Sequence, residues 1–466
     1  MSRTAWCVNS GRTASLCAMA LVLAAAPAVA QDAPTAPPLE LVQPEGSTGP
    51  PIVITLGDAL ARAKANDATF LTTAADAASA QEDRIQAKAS LLPALSHTTQ
   101  YLGTQSNGVL PSGRFVTNDG VNVFRSWAVV RQELSAQTLL RTPYHRAEAA
   151  DALAQARLEI AQRGLTVTVT KNYYALITAE RRYATVQQGA QQARRFLDST
   201  QQQERLGQVA RSDVVKAELQ YEQQQQSYRE AMLQMENARL ALAVLLFPAL
   251  NANFTVVDDL TAAPPLPPFT DARAMAARQN PDLRAASAQV DIAREDVRSA
   301  RHAFLPSIAI DAVYGIEANR FALHSVVDAA PQAGELPNLG YFVTANLTVP
   351  VWDWGGLRSK VRQTELRERQ AQVELTQAQR LLLSNLYNLY NEAATARSSL
   401  DTLRRVADLA AESLRLTNLR YEAGESTALE VVDAQNTLIQ ARNAADDAAS
   451  RYRVALATLQ TVTGTF

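Results

Sequence analysis

Tyr341-Phe-Val-Thr-Ala-Asn-Leu-Thr-Val349 places Tyr341, Val343, Ala345, Leu347 and Val349 on one face and Thr344, Asn346 and Thr348 on the other. A period of two marks a strand with one apolar side. Pro306-Ser-Ile-Ala-Ile-Asp-Ala-Val-Tyr314 repeats the pattern, with Ile308, Ile310, Ala312 and Tyr314 opposing Ser307 and Asp311. The polar stretch Asn319 to Asn338 between them reads as a loop, so the two strands form a hairpin. A fainter hairpin precedes it, Ala94 to Gly103 and Val121 to Leu134, around a loop with Asn107-Gly108 and Asn118-Asp119-Gly120. Strands of about ten residues, apolar outward and polar inward, meet the needs of a membrane barrel. A half-buried strand of a soluble sheet has the same period. Trp127 and Tyr101 fit an interfacial aromatic girdle.

Working outward, each hairpin is followed by a very long helical pair. Gly355 to Arg420 has no Pro and no Gly beyond Gly356, which predicts a helix of roughly 100 Å at a rise of about 1.5 Å per residue. Ser426 to Val462 is its return partner. Leu438, Arg442, Ala445, Ala449, Tyr452, Leu456 and Leu459 alternate spacings of four and three, as do Tyr221, Gln225, Tyr228, Met232, Met235, Arg239, Leu242 and Leu246. That period predicts coiled-coil seams. Upstream of the hairpins, Asp58 to Leu91 and Asp271 to Phe304 each read as one helix closed by Leu-Pro.

The chain is thus written twice. Leu56-Gly-Asp-Ala59 corresponds to Phe269-Thr-Asp-Ala272, Leu91-Leu92-Pro93 to Phe304-Leu305-Pro306, and Gly207 to Gly424. Asp213-Val-Val-Lys-Ala-Glu218 corresponds to Glu430-Val-Val-Asp-Ala-Gln435. Helical low complexity alone does not hold Gly, Pro and acidic positions in register. The expected organisation is a first repeat over 52–247, a Pro-rich extended linker over 248–268 and a second repeat over 269–466.

Residues 1–30 read as a secretory signal peptide. Arg3 and Arg12 form the positive start, Leu16 to Ala26 the apolar stretch, and Ala28-Val-Ala30 the cleavage site, with a second Pro-rich segment at 31–51. Both cysteines, Cys7 and Cys17, fall within it, so the exported remainder uses no thiol chemistry. Loss of the two arginines makes the remainder two units more negative than the -2 of the whole 466-residue chain. No basic field points to nucleic acid. The 6% aromatic content and the Ala-, Leu- and Arg-rich stretches fit long helices better than compact α/β domains. No later stretch reaches the roughly 18 apolar residues of a membrane helix, so a membrane location requires a β-barrel. Four strands cannot close one; two copies would supply eight and three would supply twelve.

Arg420-Tyr-Glu-Ala-Gly424-Glu-Ser-Thr-Ala-Leu429-Glu430-Val-Val-Asp433-Ala-Gln435 resembles the signature of TolC-like outer-membrane efflux proteins. Gly207-Gln-Val-Ala-Arg-Ser-Asp213-Val is similar to its first-half counterpart, and Val349-Pro-Val-Trp-Asp353-Trp-Gly355-Gly356 to the family's strand-to-helix junction. The resemblance implies an α+β membrane fold: a homotrimer whose chains each add four transmembrane strands to a twelve-stranded barrel, continued by a long coiled-coil α-helical barrel across the periplasm. It implies docking to an inner-membrane transporter through a periplasmic adaptor protein. Glu430 and Asp433 match acidic rings at the periplasmic aperture, and Asp213 and Tyr421 match residues that lock it. The turns Leu206-Gly-Gln-Val-Ala-Arg211 and Glu422-Ala-Gly-Glu-Ser426, holding Gly207, Gln208, Val209, Ala210, Ala423, Gly424 and Glu425, match the tips that meet the adaptor.

More ordinary roles exist for some of these residues. Acidic groups near a helix N-terminus complement the macrodipole, and Ser212 with Asp213, and Ser426 with Thr427, are N-cap candidates. The first-half junction, Gln132-Glu-Leu-Ser135, lacks the counterpart of Pro350, and Ser426 stands where the family often has a basic residue. Enzyme motifs are absent: no G-x-S-x-G, P-loop or G-x-G-x-x-G, and His97, His145, His302 and His324 are scattered, so no metal or cofactor is expected. A periplasmic coiled-coil adaptor or scaffold would share the heptads and the export signal, but would not need two apolar hairpins.

Overall fold

The computed structural model describes residues 51–103, 122–249, 253–318, 321–328, 335–423 and 425–464. The signal peptide, residues 31–50, the dipeptides Asn107-Gly108 and Asn118-Asp119, and Gly424 lie outside the described residues. The chain begins with β1 (Ile52–Ile54), α1 (Leu56–Asn66) and α2 (Ala68–Ala89), followed by β2 (Ala94–Gly103) and β3 (Asn122–Leu134). Next come α3 (Ala136–Leu139), the long pair α4 (Thr142–Arg205) and α5 (Arg211–Leu246), and β4 (Phe254–Val256). The second half contains α6 (Phe269–Gln279), α7 (Pro281–His302), β5 (Ser307–Ala318), β6 (His324–Asp328), β7 (Glu335–Pro337) and β8 (Leu339–Thr348). It ends with α8 (Gly356–Glu422) and α9 (Ala428–Thr463). None of the described helices is long and apolar enough to cross a membrane.

The upstream helices differ from expectation, since each predicted single helix is two. Asp67 ends α1 and caps α2 by accepting from the Phe70 N–H at 2.7 Å. Asn280 does the same for α7 through Leu283 at 3.0 Å, with Pro281 as the first helical residue. A side chain that replaces the missing backbone acceptor makes a break cheaper than a continuous helix. The loop expected between β5 and β8 also carries the short antiparallel hairpin β6–β7.

β2, β3, β5 and β8 form one antiparallel sheet in that order, leaving β2 and β8 at its edges. Register fixes its faces. Ala128, Tyr314 and Tyr341 are partners on one side, as are Val130, Ala312 and Val343, and Leu134, Ile308 and Leu347. These side chains are apolar and largely uncovered, Tyr341 at 80% and Leu347 at 65% exposure. The opposite face pairs Arg125 with Glu317 (2.7 Å) and Arg131 with Asp311 (3.6 Å).

Trp127 belongs to that polar face and is not part of a girdle with Tyr101. It lies opposite Gly315, where a Cβ would come within 2.1 Å of the Ser126 carbonyl. The indole covers the space that glycine leaves. Its N–H donates to the Ile316 carbonyl at 3.1 Å, and Phe342 meets its ring edge-on at 5.9 Å. Arg125 lies over the ring at 5.2 Å.

Both sheet-to-helix junctions turn through left-handed backbone. Arg141 (φ 53°) precedes α4, and Trp354 (φ 55°) with Gly355 (φ 86°) precedes α8. The first junction uses a Ser135–Thr138 capping box in place of a proline. Beyond the junctions, α4 with α5 and α8 with α9 form the long antiparallel pairs. Leu438, Ala449, Tyr452, Leu456 and Leu459 are buried in the α9 seam, whereas Met232, expected in the α5 seam, is 43% exposed. Ala231 occupies that place.

The Pro-rich segment between α5 and α6, expected as an extended linker, straps the helices together where it is described. β4 pairs in parallel with β1, and Phe254 and Leu260 are buried in the main core with Tyr173, Ile177, Leu242 and Leu400. Tyr173 donates to the Val257 carbonyl at 2.7 Å and Arg181 to Asp258 at 2.6 Å, both from α4. From α8, Arg397 reaches the Ala263 and Pro264 carbonyls, each at 3.0 Å. From α9, Arg453 holds Asp259 at 3.0 Å. Prolines lack the N–H that would allow the segment to join a helix, leaving its carbonyls as acceptors for Arg397 and Arg453.

Candidate functional site

The two long pairs turn at tips remote from the sheet along the helices. At the first, the Gly207 N–H donates to Glu204 O at 2.8 Å and the Gln208 N–H to Gln203 O at 2.9 Å. These are the two bonds of a Schellman ending, and Gly207 supplies its positive φ of 74°. At the second, Glu425 N–H donates to Arg420 O at 2.8 Å in the corresponding position. Leu206, Gly207, Gln208, Ala210 and Arg211 are exposed, as are Ala423 and Glu425; Val209 and Ser426 are partly covered.

α9 starts with a capping box. The Thr427 hydroxyl accepts from the Glu430 N–H at 3.3 Å, and the Glu430 carboxylate accepts from the Thr427 N–H at 3.3 Å. Ser426 Oγ donates to the other Glu430 oxygen at 2.9 Å, and Arg420 stands 3.7 Å away. The Ser426 hydroxyl, then the Thr427 N–H, holds the Glu430 carboxyl below its ordinary 4.5. Asp433, one turn on, is exposed and makes no ion pair among the described residues. The i, i+3 spacing puts both carboxylates on one side of the helix.

Asp213 and Tyr421 are not brought together. Asp213 sits in the first turn of α5 beside Lys216 at 3.4 Å. Neither it nor Ser212 caps α5, whose N-cap is Ala210 and lacks a side-chain hydrogen bond. Tyr421 does link helices: its hydroxyl donates to Gln203 Oε1 on α4 at 3.1 Å, and its ring lies 5.8 Å from Phe196. Gln203 was not singled out from the sequence, where it is one of three consecutive glutamines; only its place one turn before Gly207 marks it. Arg420 donates to the Glu425 carbonyl at 3.2 Å, so its positive charge lies at the second tip.

The chain as a whole is similar to known proteins of the outer membrane. The chain is 24% identical to the outer membrane protein TolC of Escherichia coli K12 over 412 residues, covering 87% of this chain and 81% of that protein. It is 23% identical to the alkaline protease secretion protein AprF of Pseudomonas aeruginosa over 324 residues, 69% of this chain and 66% of the other. Its fold superposes on the Campylobacter jejuni CmeC outer membrane channel with a TM-score of 0.72 at 17% identity, covering 88% of this chain and 85% of that one. The sequence model of the outer membrane efflux proteins matches residues 59–246 and again 273–465, so the chain belongs to the outer membrane efflux protein family and is a channel protein of the outer membrane.

Proposed function

We propose that three copies of this chain close a twelve-stranded barrel in the outer membrane and form the exit duct of a tripartite efflux or type I secretion system. The observation that carries this is a four-stranded sheet, apolar on one face and unpaired at β2 and β8, joined in the same chain to helices of 64 and 67 residues. Lipid does not tolerate open sheet edges, so the edges need further copies. The polar face with Arg125, Glu317, Arg131 and Asp311 then lines the passage. The helix pairs continue it across the periplasm, at about 1.5 Å per residue. Residues 1–30 direct export, and 52–247 and 269–466 are the two repeats.

Cargo moves passively, driven by the inner-membrane transporter, with no catalytic residue or cofactor in the duct. The tips Leu206–Arg211 and Ala423–Ser426 meet the periplasmic adaptor. Three copies of Asp433 and Glu430 ring the aperture with negative charge, which favours cations and repels anions until the helices part. Arg420 and the capping box commit much of Glu430, which leaves Asp433 as the main source of free charge. Tyr421 and Asp213 stand at the helix ends that must separate.

Membrane fractionation and planar-bilayer recording test the reading. The duct runs as a heat-modifiable trimer from outer membranes and conducts ions. Recovery as a soluble periplasmic protein would instead favour a coiled-coil scaffold.

A further inference from the structure

Between the strap and the tips, one buried polar node joins the two helix pairs. Gln220 and Gln224, neighbouring turns of α5, both donate to Asn436 Oδ1 on α9, at 2.9 and 3.1 Å. The two glutamines are only 5% and 9% exposed. On the strap side of this node the helices enclose a polar groove of about 510 Å³, with Arg182, Gln234 and Asn443 toward its far end and Gln224 and Asn436 at the near one. α9 also comes close to α4 here: a Cβ on Gly189 would lie 2.8 Å from the Ile439 side chain.

The position of the node gives it consequence. At the level of the strap, α4 and α9 are bound by Arg181 to Asp446 (2.7 Å) and Arg182 to Asp447 (2.9 Å). At the tip, Tyr421 holds Gln203. Asn436 lies one turn beyond Asp433 on α9, so whatever fixes Asn436 fixes the direction in which the acidic start of α9 points.

We propose that Gln220, Gln224 and Asn436 form an amide clasp that positions the acid-bearing end of α9 and sets how readily the aperture opens. The proposal rests on the duct reading above. An apolar seam at this level would hold the helices by packing alone. A half-buried amide acceptor serving two buried donors holds one register and is costly to part, because both glutamine N–H groups lose their partner together.

The experiment compares Asn436→Leu and Asn436→Asp with the unsubstituted protein, as purified full-chain assemblies in planar bilayers. Asp keeps the acceptor oxygen and strengthens both bonds through charge; Leu is similar in size and removes it. Conductance of N436L is expected to rise roughly fivefold to thirtyfold, as the loss of one or two neutral hydrogen bonds implies, while N436D conducts no more than the unsubstituted protein. Both should retain heat-modifiable assembly, and N436L should retain block by hexamminecobalt(III), since Asp433 is intact. Unchanged conductance in N436L, or an equal rise in both variants, would overturn the clasp and leave the duct standing. A protein that conducts in no form would overturn both.

Discussion

The Tyr421 hydroxyl donates to Gln203 Oε1 at 3.1 Å and so ties the end of α8 to the end of α4 across 218 residues of sequence. It is the last side-chain bond between the helix pairs before the tips among the described residues. Tyr421→Phe keeps the ring against Phe196 and removes only this tie, worth about 1 kcal/mol. Single-channel conductance should rise several-fold, with thermal stability nearly unchanged. A fall in stability at constant conductance would assign Tyr421 to packing alone.

Glu430 and Asp433 should behave differently although they share a helix face. Asp433→Asn is expected to weaken block by trivalent cations more than Glu430→Gln does, because Glu430 is already engaged by Ser426, Thr427 and Arg420. Glu430→Gln should instead loosen the start of α9. The sign of the pH effect follows from its depressed pKa. Such a group stabilises the helix start above its ordinary 4.5, and the contribution is lost as pH falls through the lower, folded value. Amide exchange at Glu430 and Val431 should therefore accelerate only on acidification below 4.5.

The strap makes its own prediction. Arg453 bonds both the Asp259 carboxylate (3.0 Å) and its carbonyl (2.8 Å), and lies over the Tyr174 ring at 5.4 Å. Arg453→Met should lower stability by about 2 kcal/mol, read as a fall in the thermal midpoint, since charged hydrogen bonds to partly buried groups are lost. Alkali should attack the same place. Burial, with Asp259 nearby, pushes Tyr173 up to about 12, and burial raises Tyr174 as well. A raised pKa stabilises the fold fully below the ordinary 10.0 and ceases to do so as pH passes through the folded value. Tyrosinate absorbance should show these residues ionising late, together with loosening of the helices.

Register in the sheet allows a test with adjacent residues. Val343 lies on the apolar face and Thr344 on the face of Arg131 and Asp311. Val343→Lys should block outer-membrane assembly, since a lysine facing the bilayer middle costs about 2–4 kcal/mol. Thr344→Lys should assemble and alter ion selectivity. Equal assembly of the two would contradict the assignment of faces.

Much of this was legible because it depends on period. The strands could be read from Ile308 to Tyr314 and from Tyr341 to Val349, and α8 from its lack of proline. What period does not encode was missed. Trp127 alternates like a girdle residue only if its glycine neighbour is ignored, and Gly315 becomes its partner only once β3 and β5 are paired. The breaks at Asp67 and Asn280 depend on one side-chain oxygen finding one backbone N–H. The strap read as a linker because its prolines exclude a helix, yet they leave carbonyls that arginines of α8 and α9 collect. Gln220, Gln224 and Asn436 meet across 212 and 216 residues of sequence, and nothing local in a glutamine-rich helix marks which amides are buried.

Native mass spectrometry of the detergent-extracted outer-membrane protein addresses the central claim, that the open edges of β2 and β8 are closed by further copies of the same chain. A species of three chains, reverting to single chains only on heating, is the expected result. A stable single chain or a pair in the conducting fraction would contradict the twelve-stranded duct.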